Sequence, residues 1–242
     1  MLQKSSTKLL AFDLDGTLTQ HKTPLSDQYK KLLHCLSQHY LLLMVGAGSC
    51  NRIYQQMNNF PIPIIGNYGM QYSVISSETG KFILKKNIFS PVDCDLITTR
   101  TNRLREELNL TNFQGNTIEI HPSGMLTFPI LGTEAPISEK LSYDPTRRKR
   151  REFFQKVAAS YPEYKVYIGG TSSFDIVPRP YSKLYALDLY CQENHLSHSD
   201  ILYFGDDYGL GGNDEDVYLS DIPFQKIDNF KDFGHYANEL LP

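Results

Sequence analysis

KLLAFDLDGTLT, residues 8–19, places two carboxylates, Asp13 and Asp15, directly after a short apolar run. The apolar part of this stretch predicts a buried strand, because it is short and ends in a turn signal at Gly16. A buried strand does not tolerate unpaired charge. The stretch is therefore either an ordinary strand-to-turn junction or the seat of the protein's chemistry, and the rest of the chain has to distinguish the two.

Helix-like and strand-like segments alternate after this stretch. Residues 26–40 carry apolar side chains at helical spacing and predict a helix, and residues 41–45 predict a second buried strand. Residues 51–58 predict a further helix, and residues 63–65 predict a third strand. This β-α-β-α-β order favours a parallel sheet with helices on both faces.

The middle of the chain has a different pattern, in which turn residues interrupt strand-like alternation and predict hairpins. The strand-like segments are 71–85 (turn at 78–80), 117–130 (around 122–124) and 165–177, and a helix is predicted at 152–160. Helix (183–194), strand (201–204) and a Gly/Asp-rich loop then follow. We therefore predict an α/β fold: a doubly wound parallel sheet from residues 1–85 and 182–242, interrupted by an inserted α+β cap at 86–181.

Composition limits the class of protein. The chain has 242 residues, 40% of them hydrophobic, and a net charge of −3. This is ordinary for a globular protein and provides no general attraction for nucleic acid or anionic membranes. No apolar run approaches the ~20 residues of a membrane helix, and the polar amino terminus lacks the apolar core of a signal peptide. The scattered cysteines (Cys35, Cys50, Cys94, Cys191) fit neither a zinc site nor a disulfide framework. We expect a cytoplasmic protein with no nucleic-acid or membrane partner.

Candidate functional residues follow several of the predicted strands. Ligands bind at the carboxyl ends of the strands in an open parallel sheet. Asp13 and Asp15 follow the first strand, the loop 46–49 follows the second, Lys183 begins the helix after the cap, and Asp206 follows the strand at 201–204. Carboxylates, one lysine and Gly-rich loops suit a phosphate substrate and Mg²⁺, which prefers oxygen ligands and keeps several waters.

Each group has a chemical role in such a site. Asp13 can bind metal and act as a nucleophile that forms an aspartyl phosphate. Asp15 can protonate the leaving oxygen and later deprotonate the incoming hydroxyl, while its backbone carbonyl ligates the metal. Backbone N–H groups from Gly46 to Ser49 can bind phosphate oxygens. Lys183 balances the anions, and Asp206 completes the metal site.

The motifs resemble those of a known superfamily. Asp13-Leu14-Asp15-Gly16-Thr17, Lys183 and Gly205-Asp206 resemble the haloacid dehalogenase phosphotransferases, in the type with a large α/β cap. GGTSSFDIVP, residues 169–178, and GGND, residues 211–214, are similar to the eukaryotic-type phosphomannomutases. The resemblance implies a phosphotransferase on hexose phosphates, with Asp13, Asp15 and Asp206 as Mg²⁺ ligands. It also implies that Ser173 and Asp175 contact the sugar phosphate and that the caps pair into a homodimer.

The chain departs from that family where the substrate's distal phosphate binds. The family uses arginines there, but the matching positions here carry Lys22, His121 or Pro122, Thr133 and Lys140. Lysine binds phosphate without arginine's bidentate fork, and Thr133 has no charge. A mutase has to retain a bisphosphate while it reorients. A sugar-phosphate phosphatase therefore stays open beside a mutase, and the identity of the sugar stays open too.

Several residues have two interpretations. Asp214, with Asn213, either supports the metal site or caps a helix, and the phosphate contact near residue 49 comes from Ser49 or from backbone amides. The basic run 147–151 is expected to form the exposed first turns of a cap helix; a nucleic-acid patch is the alternative, which the net negative charge disfavours. A non-catalytic binding protein on the same fold is a third hypothesis, but such a protein does not need the full set of acids and the lysine.

Overall fold

The computed structural model describes residues 7–241 and contains two compact units. The core unit comprises residues 7–87, 183–208 and 214–241, and the inserted unit comprises Ile88–Ser182 and Gly209–Asn213. The division predicted from the sequence placed 209–213 in the core. This segment groups with the inserted unit, where the Ile168 N–H donates a hydrogen bond to the Gly211 carbonyl at 2.7 Å. The first six residues of the polar amino terminus lie outside the described residues.

The strands form two separate sheets. They are β1 (Leu9–Phe12), β2 (Leu41–Val45), β3 (Ile64–Gly66), β4 (Gln71–Ile75), β5 (Phe82–Asn87), β6 (Glu119–Ile120), β7 (Leu126–Pro129), β8 (Tyr164–Gly169), β9 (Ser173–Pro178), β10 (Ile201–Gly205) and β11 (Phe224–Lys226).

The helices connect and cover these strands. They are α1 (Asp27–Leu36), α2 (Cys50–Gln56), α3 (Cys94–Glu107), α4 (Ile137–Tyr143), α5 (Arg148–Ser160), α6 (Lys183–Asn194), α7 (Glu215–Tyr218) and α8 (Phe233–Leu240), with short 3₁₀ helices at Asn67–Gly69, His198–Asp200 and Phe230–Asp232. Among residues 7–241, no helix combines the length and the apolar character that crossing a membrane requires.

The core sheet has the order β11-β10-β1-β2-β3-β4-β5. The strands from β11 to β3 pair in parallel, and β4 and β5 add an antiparallel hairpin at one edge. The predicted α/β fold is therefore confirmed, and the sheet is mixed rather than purely parallel. The carboxyl ends of β1 and β10 lie side by side, because Phe12 pairs with Phe204.

Burial on both faces explains the continuous apolar run before Asp13. Alternate residues of a strand point to opposite faces of the sheet. Leu10 and Phe12 lie in one buried cluster with α1 and α8, whereas Leu9 and Ala11 lie in another with α6. All four side chains have no exposed surface. A strand packed on both sides holds the residues that follow it in a fixed position.

The inserted unit has its own sheet and core. Its strands pair antiparallel in the order β6-β7-β9-β8. Side chains from this sheet pack with α3 and α5 in a third buried cluster that includes Phe128, Phe174 and Val157. An independent apolar core of this kind is what an inserted domain needs in order to keep its shape.

Candidate active site

A buried ion-pair network lies where β1 and α6 meet. Asp13 is the first residue after β1, and its N–H donates to the Phe204 carbonyl at 2.9 Å, so the backbone continues the sheet ladder. Its side chain pairs with Lys183, the first residue of α6, with 2.6 Å between Oδ1 and Nζ. The same Nζ lies 2.8 Å from Asp214 Oδ1. Lys183 and Asp214 have no exposed surface. Charge-assisted hydrogen bonds therefore replace the water that these groups lose.

Asp206 lies against the turn that follows β1. Thr17 Oγ1 donates to Asp206 Oδ1 at 3.2 Å. Gly16 has φ +102°, and a Cβ built there would lie 2.5 Å from the Asp206 carboxyl carbon. Glycine is therefore required for two reasons, the backbone conformation and the close approach of the carboxylate.

Asp214 is an integral member of the site. Besides Lys183, it accepts hydrogen bonds from the Tyr203 hydroxyl at 2.7 Å and from the Asp207 N–H at 3.1 Å. Oxygens of Asp13, Asp206 and Asp214 all lie within 4.8 Å of one another. Asp214, predicted only as a supporting residue or a helix cap, is thus a member of the carboxylate cluster. The Asp15 carboxylate is not a member of that cluster.

The charges of this cluster suit a metal ion. Among the described residues, this cluster brings three carboxylates, those of Asp13, Asp206 and Asp214, together with the Lys183 ammonium group, so negative charge is in excess there. Burial, against the attraction of Lys183, raises the pKa of Asp13 to about 7, and Asp214 adds to the rise. Burial lowers the pKa of Lys183, but Asp13 and Asp214 outweigh it and hold that pKa above its usual value, so the lysine stays charged. A divalent cation would neutralise the excess, and carboxylate oxygens are ligands that Mg²⁺ accepts.

Asp15 points to a different set of partners. Its Oδ1 accepts hydrogen bonds from the Lys22 N–H at 2.6 Å and from Gln56 Nε2 at 2.7 Å, and its Oδ2 lies 3.2 Å from Arg52 Nη1. Burial raises the pKa of Asp15, but the hydrogen bonds from Gln56 and Lys22 and the charge of Arg52 outweigh it, so the net pKa lies below the usual value. Asp15 is therefore a carboxylate at neutral pH.

The loop after β2 corrects one prediction. The Gly46 N–H donates to the Ile65 carbonyl at 2.9 Å, so it belongs to the sheet ladder and does not serve as the predicted phosphate donor. Ser49 caps α2, where its Oγ accepts a hydrogen bond from the Arg52 N–H at 3.2 Å. A hydroxyl that accepts in this way still has a proton to donate. The Ser49 hydroxyl therefore keeps a proton for donation.

Lys22, a predicted contact of the distal phosphate, lies in the core unit, whereas His121, Thr133 and Lys140 lie in the inserted unit. Lys22 has φ +57°, and its backbone N–H binds Asp15. In the structure Lys22 therefore contacts Asp15 through its backbone N–H.

The other predicted substrate residues lie in the inserted unit in small groups. Lys140 Nζ donates to the Thr133 carbonyl at 2.8 Å. His121 Nε2 lies 2.8 Å from Thr127 Oγ1. Ser173 and Asp175 both lie on β9 beside the turn at Gly169 and Gly170, and Ser173 Oγ donates to the Gly169 carbonyl at 3.1 Å. A Cβ at Gly169 would lie 2.7 Å from an Asp175 oxygen.

The basic run 147–151 contains a buried residue, which corrects the expectation of an exposed surface. Arg150 is 1% exposed and pairs with Asp144, with 3.0 Å between Nε and Oδ2. Its Nη1 donates to the Gly169 carbonyl at 2.7 Å, and to the Ser173 carbonyl at 3.3 Å. The sequence spacing indicated this burial, since Arg150 lies seven residues, or about two helical turns, before the buried Val157 on α5. Arg148, by contrast, is exposed as expected.

Arg52 and Gln56 were also missed by the sequence reasoning. They stand four residues apart on α2 and therefore share one helix face. Their spacing was visible in the sequence, but nothing there showed that this face meets Asp15.

The fold and the site define a class of protein, the haloacid dehalogenase-type phosphotransferases: a parallel core sheet, an aspartate after its first strand, a buried lysine and a second acidic loop. Solved structures share the fold. An IMP-nucleotidase mutant from Plasmodium falciparum aligns with a TM-score of 0.67 at 14% identity, covering 97% of this chain and 68% of that one. A trehalose-6-phosphate phosphatase related protein aligns with a TM-score of 0.52 at 13% identity, covering 96% of both chains.

Sequence comparison narrows the class to a family. Residues 29–234 match the family model of the eukaryotic phosphomannomutases. Phosphomannomutase from Drosophila melanogaster is 25% identical, over 87% of this chain and 85% of that protein, and the Saccharomyces cerevisiae enzyme is 24% identical, over 88% and 85%. The chain belongs to the eukaryotic phosphomannomutase family, which confirms the resemblance found in the motifs and the predicted type of enzyme.

Proposed function

We propose that the protein is a Mg²⁺-dependent phosphotransferase that interconverts mannose 6-phosphate and mannose 1-phosphate through an aspartyl-phosphate intermediate. The observation that carries the proposal is the buried Asp13 carboxylate, held by Lys183 Nζ at 2.6 Å within the carboxylate cluster. A buried ion pair placed solely for stability gains nothing from additional carboxylates, whereas transfer of a phosphoryl group needs both a nucleophile and compensating positive charge.

Asp13 carries out the covalent step in this proposal. Lys183 binds Oδ1, which leaves Oδ2 to attack phosphorus. The Asp13–phosphorus bond forms while the bond from phosphorus to the sugar oxygen breaks. In the second step a sugar hydroxyl attacks the aspartyl phosphate, and Asp13 leaves as a carboxylate. Splitting one displacement into two lets the same residue serve both sugar positions.

Asp15 moves the proton in this proposal. As a carboxylate, it first takes the proton of the sugar hydroxyl that attacks the aspartyl phosphate, and it returns that proton to the leaving sugar oxygen when Asp13 is phosphorylated again. Its carboxylate binds the Lys22 N–H and Gln56 Nε2, whereas that of Asp13 binds Lys183. Two carboxylates in two environments can thus perform two different tasks.

Asp13, Asp206 and the Asp15 carbonyl would hold the Mg²⁺, with Asp214 completing the acidic surroundings. When bound, the ion supplies charge neutralisation for the transferring phosphoryl group. The Lys183 ammonium group binds the carboxylates of both Asp13 and Asp214. It therefore reduces the repulsion between them and fixes the orientation of the nucleophile. Thr17 orients Asp206 through its hydroxyl.

We infer the substrate contacts from the family. Ser173 and Asp175 on β9 are proposed to bind the sugar phosphate, with Asn213 as a supporting residue. Lys22, His121 and Lys140 are proposed to bind the distal phosphate, and Ser49, in the loop after β2, is proposed to contact the phosphate that is transferred. Arg150 supports this set indirectly, because it holds the backbone of the turn that leads into β9.

A sugar-phosphate phosphatase is the second candidate. One observation favours it. Thr133 has no charge, and Lys140 Nζ donates to the Thr133 carbonyl, so one of its N–H groups is not directed at a phosphate. Weaker cations would release a bisphosphate more readily, and water would then take the phosphoryl group.

An assay with mannose 1-phosphate and Mg²⁺, with and without a hexose 1,6-bisphosphate, separates the two. Isomerisation that requires the bisphosphate supports the mutase. Steady release of inorganic phosphate, without formation of mannose 6-phosphate, would show that the protein is a phosphatase and not a mutase. Replacing Mg²⁺ with Ca²⁺, which occupies similar sites with looser geometry, is expected to suppress turnover.

We further propose that the inserted unit pairs two chains into a homodimer and that the enzyme works in the cytoplasm. Light scattering on the purified chain tests the first proposal, since a mass near the 27.7 kDa of one chain would contradict it. Cell fractionation tests the second.

A further inference from the structure

The contacts of Asp15 extend into α2 as a closed hydrogen-bond chain. Gln56 Nε2 donates to Asp15 Oδ1 at 2.7 Å and to Thr19 Oγ1 at 3.2 Å. Gln56 Oε1 accepts from Arg52 Nη1 at 2.8 Å, and that same Nη1 lies 3.2 Å from Asp15 Oδ2. All of these residues belong to the core unit.

The chain of bonds fixes which way the Gln56 amide points. An amide group has one acceptor oxygen and two N–H donors. Arg52 can only donate, so it takes the oxygen. Thr19 Oγ1 donates its own proton to the Leu14 carbonyl at 3.3 Å and therefore accepts from Gln56. The remaining N–H of Gln56 is directed at Asp15, and a flipped amide would set an oxygen against the carboxylate.

We propose that Gln56, oriented by Arg52, is a positioning residue that holds the Asp15 carboxyl for proton transfer; this rests on the proposed function, in which Asp15 is the acid and base. Asp15 stands on a turn whose backbone is hydrogen-bonded, with the Gly16 N–H donating to the Thr19 carbonyl at 2.8 Å, but these backbone bonds do not orient the Asp15 side chain. Proton transfer requires the carboxyl to lie within hydrogen-bond reach of the sugar oxygen. The side chains on α2 restrain the Asp15 carboxyl group, which the backbone bonds of the turn do not do.

The backbone contact to Asp15 does not make Gln56 redundant. The Lys22 N–H binds the same Oδ1, but a single hydrogen bond leaves the carboxylate free to rotate about it. Gln56 and Arg52 approach from α2 and bind the two different oxygens. Contacts on both oxygens fix the carboxylate plane, which one contact cannot do.

The test uses Gln56→Met, which keeps the length of the side chain and removes the amide. Gln55→Met is the matched control, because Gln55 is the exposed neighbour on the same helix. Transfer is measured from a hexose phosphate, whose leaving oxygen needs a proton, and from p-nitrophenyl phosphate, whose leaving group does not. Each is measured in the wild-type chain and in the Asp15→Asn background.

We expect Gln56→Met to lower kcat for the hexose phosphate by about 10- to 100-fold, the cost of misplacing a catalytic group. The KM, the rate with p-nitrophenyl phosphate and the rate of Gln55→Met should change less than about threefold. In the Asp15→Asn background, Gln56→Met should cost nothing further, because Gln56 acts only through Asp15.

Equal losses with both phosphate donors, or a loss that persists in the Asp15→Asn background, would overturn the inference while leaving the proposed function intact. No loss in Gln56→Met would do the same. If Asp15→Asn itself lowers both donors equally, the proposed role of Asp15 fails, and the inference fails with it. Thermal unfolding of each variant shows whether a loss comes from the fold instead.

Discussion

Two buried ion pairs, one in each unit, show what separates a site from a structural support. In the core unit, Lys183 lies between Asp13 and Asp214, with Asp206 close by, so the group carries excess negative charge. In the inserted unit, Arg150 pairs with Asp144 and donates to the backbone carbonyls of Gly169 and Ser173. The pKa values differ accordingly. That of Asp13 is raised to about 7, whereas that of Asp144 is lowered by its hydrogen bonds to Arg150 and Lys149, which outweigh burial.

The comparison teaches that burial of charge is not by itself a sign of function. The pair of Arg150 and Asp144 holds a backbone in place, because Arg150 also donates to carbonyls of the turn beside Ser173. A cluster whose carboxylates outnumber its cations is stabilised by a bound cation that neutralises the excess negative charge. The following experiments test that distinction, from the largest expected effect to the smallest.

Asp13→Asn should abolish phosphoryl transfer, with kcat reduced by more than about 10³-fold, because the amide is not a nucleophile. Folding should survive, since the change removes one of three crowded carboxylates. The measurement is turnover with a hexose phosphate and Mg²⁺, with thermal unfolding alongside. Asp144→Asn is the contrast: it should unfold more easily and retain the chemical step. Wild-type turnover in Asp13→Asn would show that Asp13 is not the nucleophile.

Lys183→Met and Arg150→Met should each destabilise the protein by about 3–5 kcal/mol, the cost of stranding a buried partner charge. Arg148→Met is the control, because that residue of the same basic run is 84% exposed; its change should stay within about 0.5 kcal/mol. Urea unfolding measures all three. The two buried variants should then differ in one respect: Mg²⁺ restores stability to Lys183→Met, by neutralising the carboxylates, and has no such effect on Arg150→Met.

Gly16→Ala tests the close approach of Asp206. Gly80→Ala is the matched control, since Gly80 also has positive φ, at +65°, but nothing within 4 Å of a Cβ built there. The control should lose about 1–2 kcal/mol through the backbone conformation alone. Gly16→Ala should lose more and should also raise the Mg²⁺ concentration required for half-maximal activity. Equal losses in the two variants, with unchanged Mg²⁺ dependence, would show that the contact with Asp206 is unimportant.

The pH dependence of stability should carry opposite signs for the two aspartates. The folded-state pKa of Asp13 is raised, so the folded protein binds the extra proton and stability falls as pH rises from about 4 towards 7. The folded-state pKa of Asp144 is lowered, so its contribution is present above about pH 4 and is lost as pH falls below that. Unfolding midpoints of the metal-free protein, measured with EDTA, should show Asp13→Asn flattening the neutral limb and Asp144→Asn the acid limb. Interchanged effects would refute the assignment.

Much of the core could be predicted from local pattern, because its elements are determined by periodicity. The helix beginning at Lys183 and the strand Leu41–Val45 occur where the apolar spacing indicated them. The first strand and its two aspartates were marked by the abrupt change from apolar to charged residues. The edge strand β11 and the helices α3 and α8 were not located, since β11 is short and the spacing of α3 includes many polar residues.

The site was only partly predictable. Residues on parallel strand ends converge by topology, which explains why Asp13, Lys183 and Asp206 could be grouped from the sequence. The Asp214 side chain reaches the cluster because it packs closely against Gly205, where a Cβ would lie 2.6 Å from Asp214 Oδ2. Contacts of this kind depend on side-chain packing, and no local pattern records them. The partners of Asp15 on α2 belong to the same class.

The most direct test of the central claim is to identify the phosphorylated residue. The protein is mixed with Mg²⁺ and a hexose 1,6-bisphosphate, quenched in acid, and reduced with borohydride, which converts an aspartyl phosphate to homoserine. Mass spectrometry of the peptide that contains residues 8–19 should then find the conversion at Asp13 and at no other aspartate, and the Asp13→Asn protein should give none. Turnover that proceeds with Asp13 unmodified at every quench time, or conversion at another aspartate, would contradict the account.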